Sequence, residues 1–501
     1  MMVLIHTDVP GTLRNFPITR RCHHMLLMFL RYSACLVVCF ASTLVEAKMP
    51  HIVLIMADDM GYGDPTCYNP NSKITTKHID RLAAEGMRFT DAHSPAAVCV
   101  PTRYGLMTGR YPFRMPNVER HKPRINRGRT TIASLLRDQG YETQMVGKWH
   151  LGFDFDDISE EHRRGPVDNG FDSYFGIPRS LDIPPYYYLR DRLPVAPPTG
   201  MIAANNSVEE GWTPIQGAFW REGALAPGFR HIDVLPRFSD EAVAVIDAYA
   251  DSNSENRLFL YFALPAPHTP WLPTEEYSGK SGAGMYGDFA QQVDDCIGRV
   301  LDALDRHEMT DETLVIFTSD NGPVWYPHDT ERFDHASTGP LRGMKGDAWE
   351  AGHRMPFIVR WPGTVTAGTM SDQLICHVDL MATFADILNA TLPKGEGLDS
   401  VNLLPALVDH PDRTTLRKTL ISQSSKEVLG FRKGPWKLIP TRGSGGFTRS
   451  TDADQGPEGQ LYNLDDDLGE TTNLWDDHPQ IVEELTLELA KAQAGVRTAP
   501  E

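Results

Sequence analysis

Short runs rich in apolar and β-branched residues recur along the chain, mostly without the alternation of apolar and polar positions that marks a half-exposed strand. Such runs are typical of strands buried on both faces of a parallel sheet. The predicted strands are His51–Ala57, Glu142–Val146, Leu258–Leu264, Thr313–Thr318 and Pro356–Arg360. Between them lie helical patterns, the clearest a stripe from Phe289 to Leu304. This alternation predicts an α/β fold, a large and mostly parallel central sheet flanked by helices.

The pattern changes at two places. Residues 154–237 are rich in Pro, Gly, Tyr and Arg with little periodicity, so we interpret them as long inserted loops. Ser239, followed by two acidic residues, then predicts the N-cap of the next helix. From about residue 395 the chain predicts short antiparallel strands and a last helix over Ile481–Ala490. We predict a main domain over residues 48–394 and a smaller C-terminal α+β subdomain over residues 395–501.

The N-terminus has the features of a secretory signal peptide. Arg20 and Arg21 precede an interrupted apolar stretch that ends in Val45-Glu46-Ala47, a small-x-Ala pattern. A single transmembrane anchor is the alternative, but the run is shorter than the ~20 residues that a span needs. We predict a signal peptide over residues 1–47, cleavage after Ala47, and an exported protein that is periplasmic or secreted, with no stable membrane span after cleavage.

The net charge and the cysteine content exclude some classes of function and favour others. The 501 residues carry a net charge of −18, so the protein has no bulk attraction for nucleic acid or an anionic membrane. To bind an anionic substrate, the protein would need a local cluster of basic residues that outweighs the repulsion from its negative net charge. Three of the seven cysteines lie in the predicted signal peptide, and the other four form no CxxC pair. A large exported protein does not need disulfides for stability. We therefore expect that at least one of these four thiols has a chemical rather than a structural role.

Polar and charged residues follow the predicted strands. Parallel strands place their ligands outside their carboxyl ends, so these residues predict one site. They are Asp58, Asp59, Lys148, His150, His268, Asp320 and Asn321, with Arg342 and Lys345 ahead of the strand at Pro356. Carboxylate and amide oxygens favour Ca²⁺ or Mg²⁺ over zinc. The alternative is that the Asp-Asp and Asp-Asn pairs merely cap turns.

Cys99 lies in the stretch Cys99-Val100-Pro101-Thr102-Arg103, followed by Thr108-Gly109-Arg110. This C-x-P-x-R motif resembles the activation signature of the type I sulfatases, in which the cysteine is oxidised to Cα-formylglycine. Val100 and Thr102 stand where that family more often has Thr and Ser. Further blocks resemble the family in the same order; they are residues 51–63, 147–152, 267–270, 319–322, 343–346 with 349–354, and 461–474.

The resemblance implies a sulfuric ester hydrolase with the alkaline phosphatase-like fold, acting on a sulfate monoester. The predicted export signal and the long polar loops favour a carbohydrate ester as the substrate. Cys99, converted by a formylglycine-generating enzyme, would be the nucleophile. One Ca²⁺ would be held by Asp58, Asp59, Asp320, Asn321 and the modified Cys99.

The resemblance also implies the remaining roles. Arg103 would stabilise the formylglycine hydrate, His150 would act on its hydroxyl, and the sulfate oxygens would be held by Lys148, His268 and Lys345. His268, with Lys345 as a second candidate, would protonate the departing alkoxide.

Two alternatives stay open. A phosphonate or phosphate monoester hydrolase of the same superfamily would use much the same site. An unmodified Cys99 would instead leave a protein that binds sulfated glycans without turnover.

Overall fold

A computed structural model describes residues 49–119, 121–408, 415–449 and 456–499. The predicted signal peptide, residues 1–47, lies outside the described residues. Within these ranges, no helix is both long enough and apolar enough to span a bilayer.

The strands are numbered in chain order. They are β1 His51–Asp58, β2 Met87–Phe89, β3 Ala92–His93, β4 Tyr141–Lys148, β5 Ser173–Ile177, β6 Leu189–Arg190, β7 Leu193–Pro194, β8 Gly200–Ile202, β9 Gly223–Leu225, β10 Arg257–Pro267, β11 Thr313–Ser319, β12 Phe357–Arg360, β13 Thr369–Ser371, β14 Ile375–Cys376, β15 Thr419–Gln423, β16 Leu429–Lys433, β17 Trp436–Ile439 and β18 Gln460–Asn463.

The α-helices of the described residues are numbered likewise. They are α1 Lys77–Glu85, α2 Cys99–Thr108, α3 Ile132–Asp138, α4 Val234–Asp251, α5 Gly284–Arg306, α6 Pro327–Phe333, α7 Glu350–His353, α8 Leu380–Ile387, α9 Leu404–Leu407 and α10 Pro479–Ala494.

Ten strands form the central sheet, in the order β13-β2-β12-β11-β1-β10-β4-β5-β6-β7. The five middle strands, β11 to β5, are parallel to one another. β1, β10 and β11 are buried along almost their whole length, because helices and loops cover the sheet. The prediction of a large, mostly parallel sheet flanked by helices is confirmed, and β12 joins it antiparallel to β11.

Long amphipathic helices pack on this sheet. α4 and α5 pack on each other and on β10, and the predicted stripe from Phe289 to Leu304 is the buried face of α5. The predicted N-cap at Ser239 is wrong. Helix α4 already begins at Val234, because Leu235 and Phe238 continue its buried face one turn earlier.

The interpretation of residues 154–237 as long inserted loops is wrong where the chain forms short strands. β5 lies in this region and pairs parallel to β4, and β6 to β9 form small antiparallel ladders. β5 is only five residues long and contains Gly176, so its own sequence gives a weak strand signal.

A second, antiparallel sheet of four strands, β15 to β18, lies near the C-terminus and packs against α10. The three predicted strands correspond to β15, β16 and β17. Leu420, Phe431, Leu438 and Leu485 belong to a separate apolar cluster there. The smaller C-terminal α+β unit is therefore present as a sheet and a helix, whereas its boundary near residue 395 stays a prediction.

A buried cluster of charges connects the second sheet to α7. Lys437 on β17 lies 2.9 Å from Glu350 Oε1 and 2.8 Å from Glu470 Oε1, and all three side chains are almost fully buried. Arg354 pairs with the second oxygen of Glu350 at 3.2 Å. The backbone N–H of Glu350 donates to Glu470. Each buried charge thus has an opposite partner, the condition under which such groups are tolerated.

Candidate active site

The site lies at the carboxyl edge of the parallel strands. Asp58 ends β1, Lys148 ends β4, His268 follows β10, and Asp320 follows β11. These strands are neighbours in the order β11-β1-β10-β4, so their last residues meet at one edge. This is the placement that the apolar runs and their polar ends predict.

Two carboxylates come from the end of β1. Asp58 continues the strand, and Asp59 takes a left-handed conformation, with φ +66°, that turns the chain at the sheet edge. The backbone N–H of Asp59 donates to Asp320 Oδ1 over 3.2 Å. Asn321 Nδ2 donates to Asp59 Oδ1 over 2.6 Å. These contacts bring the two predicted acidic pairs together.

These residues fit a divalent cation. Oxygens of Asp58, Asp59 and Asp320 lie within 4.8 Å of one another in a fully buried cluster. Asp58 Oδ1 and Asn321 Oδ1 are buried without a hydrogen-bond partner among the described residues, although buried acceptors normally have one. Burial and the charge of Asp58 raise the pKa of Asp320 to about 7. A hard cation would satisfy both acceptors and relieve this repulsion.

Cys99 is the first residue of α2 and is 7% exposed. Its Sγ belongs to a cluster with Asp58 and His268 in which the potential ligand atoms lie within 4.8 Å of one another. Burial raises the pKa of its thiol to about 11, against the opposing charges of Lys148 and Lys345. At neutral pH the unmodified side chain is therefore a thiol, which is a weak nucleophile.

A buried cation faces each carboxylate. Arg103 Nη2 donates to Asp320 Oδ2 over 2.9 Å, and Lys148 donates to Asp58. Lys345 Nζ lies 2.6 Å from Asp59 Oδ1, and its loop is held because its backbone N–H donates to Pro323. Burial lowers the pKa of Lys345, but the negative charges around it, of which Asp59 is the strongest, together outweigh burial and raise that pKa.

The two histidines differ in their surroundings. His268 Nδ1 lies 2.7 Å from the carbonyl oxygen of Thr269, which assigns the proton to Nδ1 and leaves Nε2, 3.7 Å from Asp59 Oδ2, as the other reactive atom. His150 has φ +61°, and its Nδ1 is buried without a described partner. Burial and the charges of Lys148 and Arg103 hold the pKa of His150 well below its usual value, so its ring is neutral.

The structure adds one residue to the predicted site and shows that another predicted residue lies elsewhere. Ser180 Oγ lies 3.3 Å from both Lys148 Nζ and His268 Nδ1, and so connects two predicted site residues. In the sequence, Ser180 could have been recognised only by its position just after β5, a strand that the sequence pattern does not reveal. Arg342, predicted among the cations of the site, instead stacks on Trp349 at 3.8 Å and donates to Tyr462. That aromatic contact draws its side chain towards the second sheet.

A buried set of carboxylates, cations and histidines at the carboxyl edge of an α/β sheet defines a hydrolase for esters of a tetrahedral anion. Comparison with known proteins specifies it further. The family model described as Sulfatase matches residues 50–390. The chain belongs to the sulfatase family, as a type I sulfatase of the alkaline phosphatase superfamily, and it is a sulfuric ester hydrolase.

Individual relatives agree with this assignment. N-acetylgalactosamine-6-O-sulfatase of Bacteroides thetaiotaomicron is 34% identical over 476 residues, covering 88% of this chain and 92% of the relative. Human arylsulfatase A is 33% identical over 485 residues, covering 91% and 90% of the two chains.

Solved structures share the fold. One from Bacteroides thetaiotaomicron, described in connection with the metabolism of multiple glycosaminoglycans, has a TM-score of 0.79 and 32% identity and covers 89% of this chain and all of its own. Phosphonate monoester hydrolase of Agrobacterium radiobacter has a TM-score of 0.60 at 17% identity, covering 89% and 95% of the chains, which shows the fold alone.

Proposed function

We propose that this sulfatase removes sulfate from a sulfated carbohydrate, with Cys99 converted to Cα-formylglycine as the nucleophile. One Ca²⁺ ion is held by Asp58, Asp59, Asp320, Asn321 and the modified Cys99. The carbohydrate substrate is supported by the relative named as an N-acetylgalactosamine-6-O-sulfatase. Calcium is supported by the oxygen-only character of the four Asp and Asn ligands.

The position and protonation of Cys99 carry this proposal. Its Sγ lies beside Asp58 of the carboxylate cluster and beside His268, yet burial keeps the thiol protonated at neutral pH. A cysteine that works unmodified needs a lowered pKa. The surroundings of Cys99 therefore favour a different nucleophile at the same position.

The cations of the site hold the substrate's charge. A sulfate ester spreads its negative charge over three oxygens, and this charge shifts as the bond to the alcohol breaks. Lys148, at the end of β4, and Lys345, in a loop, project their ammonium groups into the cluster and bind those oxygens. Arg103, paired with Asp320, holds the helix that carries Cys99 against the metal ligands.

The histidines move the protons. Hydrated formylglycine supplies two geminal hydroxyls, one to displace the alcohol from sulfur and one to expel the sulfate afterwards. His268 acts with protons on both ring nitrogens: Nδ1–H stays bonded to the carbonyl oxygen of Thr269, and the Nε2 proton passes to the departing alkoxide, which leaves a neutral ring. His150, whose ring is neutral, accepts the proton from the second hydroxyl.

The test combines mass spectrometry with turnover. The peptide that contains Cys99 is expected to be about 18 Da lighter than its unmodified form, because the thiol has become an aldehyde. Cys99→Ala, and Cys99→Ser in a host that matures only cysteine, should lose activity on a sulfated monosaccharide. Cys296→Ala is the matched control, since Cys296 is also a buried free cysteine but lies in α5.

An intact thiol in active enzyme, or equal activity of the Cys99 variants and the wild type, would contradict the nucleophile assignment. An intact thiol in protein that binds sulfated glycans without turnover would favour the binding-protein alternative. The phosphonate or phosphate hydrolase alternative is checked by comparing kcat/KM for sulfate, phosphate and phosphonate esters of one alcohol. We expect the sulfate ester to be preferred.

We also propose that the protein is exported, with residues 1–47 as the signal peptide, and that a formylglycine-generating enzyme is its maturation partner. The catalytic domain would then span residues 48–394 and the C-terminal subdomain residues 395–501. N-terminal sequencing of protein secreted by its host should begin at Lys48. A mature chain that retains the first 47 residues would contradict this export proposal.

A further inference from the structure

A groove rich in arginine lies outside the sulfate site. It has a volume of about 540 Å³, within the usual range for ligand clefts, and its walls are residues 125–130, helix α3 and residues 163–170. Five arginines line it, together with two aspartates, in a chain whose net charge is −18. The arginines are Arg127, Arg129, Arg137, Arg163 and Arg164.

Three of these guanidinium groups are not neutralised. Within the described ranges, no carboxylate forms a side-chain ion pair with Arg127, Arg137 or Arg164, whereas Arg129 pairs with Glu396 and Arg163 with Asp156. Arg127 and Arg137 are exposed. The groove is therefore a local positive region of the kind that an acidic protein needs in order to bind an anion.

The walls of the groove are tied together. Arg164 Nη2 donates to the carbonyl oxygen of Ile125 over 2.8 Å, and its backbone N–H donates to Asp168. Thr131, the N-cap of α3, donates to the carbonyl oxygen of Asn169. A Cβ on Gly170 would lie 2.2 Å from the backbone nitrogen of Ser134, so the two segments are in close contact. The groove exists before any ligand binds, which reduces the cost of binding.

The segment that leads into one wall of the groove pairs with the segment that follows His150. The backbone N–H of Arg124 donates to Leu151 over 2.9 Å, and that of Phe153 donates to His121 over 3.1 Å. Leu151 immediately follows His150. The loop that forms one wall of the groove is thus paired with the segment that carries a proposed catalytic histidine.

We propose that this groove binds a polyanionic glycan, a chain with sulfate or carboxylate groups on several sugars, while the sulfate site acts on one of them. This inference rests on the proposed function for the class of substrate. Guanidinium groups form paired hydrogen bonds with sulfate and carboxylate oxygens, and Asp138 and Asp168 can accept hydrogen bonds from sugar hydroxyls. The described lining residues include no aromatic side chain on which a nucleic-acid base could stack.

The experiment uses the full-length protein and fluorescent dextran sulfate, with uncharged dextran as the blank. The test variant is Arg127→Glu with Arg137→Glu, two exposed residues whose side chains form no hydrogen bond or ion pair within the described ranges. The control is Lys418→Glu with Lys491→Glu, which changes the net charge equally at exposed positions outside the groove. Lys491 also matches Arg137 in lying in the last turn of its helix.

We expect the groove variant to bind dextran sulfate about tenfold more weakly and the control within about twofold of wild type. In the neutral pair Arg127→Gln with Arg137→Gln, the slope of log Kd against log salt should fall by roughly two, one for each lost contact. Neither variant should change kcat/KM on a sulfated monosaccharide. The neutral pair also serves as the test if the charge reversal impairs folding.

Equal losses in the groove variant and the control, or an unchanged salt slope in the neutral pair, would overturn the inference. The inference would also fail if a single-stranded oligonucleotide of equal charge bound the wild type as tightly as dextran sulfate does and bound the groove variant more weakly by the same factor. Failure of the proposed function has a different signature, because wild-type protein would then turn over no sulfated sugar while the binding differences persisted.

Discussion

Lys437 offers a sharp test of the buried charge cluster between the second sheet and α7. Its ammonium group is shared by Glu350 and Glu470 at 2.9 and 2.8 Å, and the side chain is 2% exposed. Lys437→Met keeps the aliphatic length and removes the charge. Glu470 then has no ion-pair partner within the described ranges, whereas Glu350 keeps Arg354, and breaking a buried pair in this way costs about 3–5 kcal/mol. We expect a loss of unfolding free energy in that range at pH 8.

The loss should depend on pH. Burial, together with the charge of Glu350, raises the pKa of Glu470 to about 7 even with Lys437 present. A carboxyl whose pKa is higher in the folded than in the unfolded protein stabilises the fold at low pH, and this stability disappears as pH rises through the folded value. Without Lys437 the folded pKa rises further. The gap between variant and wild type should therefore be smaller at pH 5 than at pH 8.

Urea unfolding of three variants at both pH values measures this. Lys433→Met is the matched control, because Lys433 also lies between two glutamates, at 2.7 and 2.6 Å, but is 41% exposed. An exposed pair contributes little, so its removal should leave stability almost unchanged. Lys437→Met with Glu470→Gln should recover most of the loss. A cost no greater than that of Lys433→Met, or a gap that narrows as pH rises, would refute the reasoning.

Three further predictions concern the metal, the leaving group and pH. Chelation should abolish turnover and Ca²⁺ should restore it better than Zn²⁺, whereas equal recovery with zinc would contradict the oxygen-ligand site. His268→Ala should lower kcat on a sugar sulfate by about 10²–10⁴ and much less on a nitrophenyl sulfate, and equal losses would assign the acid role to Lys345. Burial lowers the pKa of His231 to about 4, so stability present above pH 6.5 is lost as pH falls. His231→Phe should remove about 2.5 kcal/mol of the difference between pH 7 and pH 4.5 in urea titrations.

The central strands and the residues at their ends could be predicted because both follow from local sequence. Apolar runs of six residues in β1 and seven in β10 mark these strands, and the parallel arrangement then places Asp58 and His268 at one edge. Lys345 lies there too, although it precedes a strand, because β12 is antiparallel to β11. The parallel sheet rule alone would not have placed it.

What could not be predicted depends on partners distant in sequence. β5 is a strand because it pairs with β4, and only that pairing brings Ser180 between Lys148 and His268. Arg342 has the charge and chain position of a site residue, but the face of Trp349 holds it elsewhere. Likewise, the arginines of the groove come from α3 and from two segments, one before it and one about 30 residues after it in the chain.

The burial of Cys99 has a consequence for the timing of the protein's synthesis. Pro101 and the residues after it in α2 are also buried, so no second protein can enclose this stretch once the chain has folded. The maturation enzyme that we propose would need access to Cys99, which burial denies it in the folded protein. The chemistry proposed for Cys99 therefore has to be finished on the nascent or unfolded chain, and folding ends the opportunity for it. A molecule that folds first would keep its thiol permanently. The active fraction of a preparation would therefore depend on how fast Cys99 is oxidised relative to how fast the chain folds.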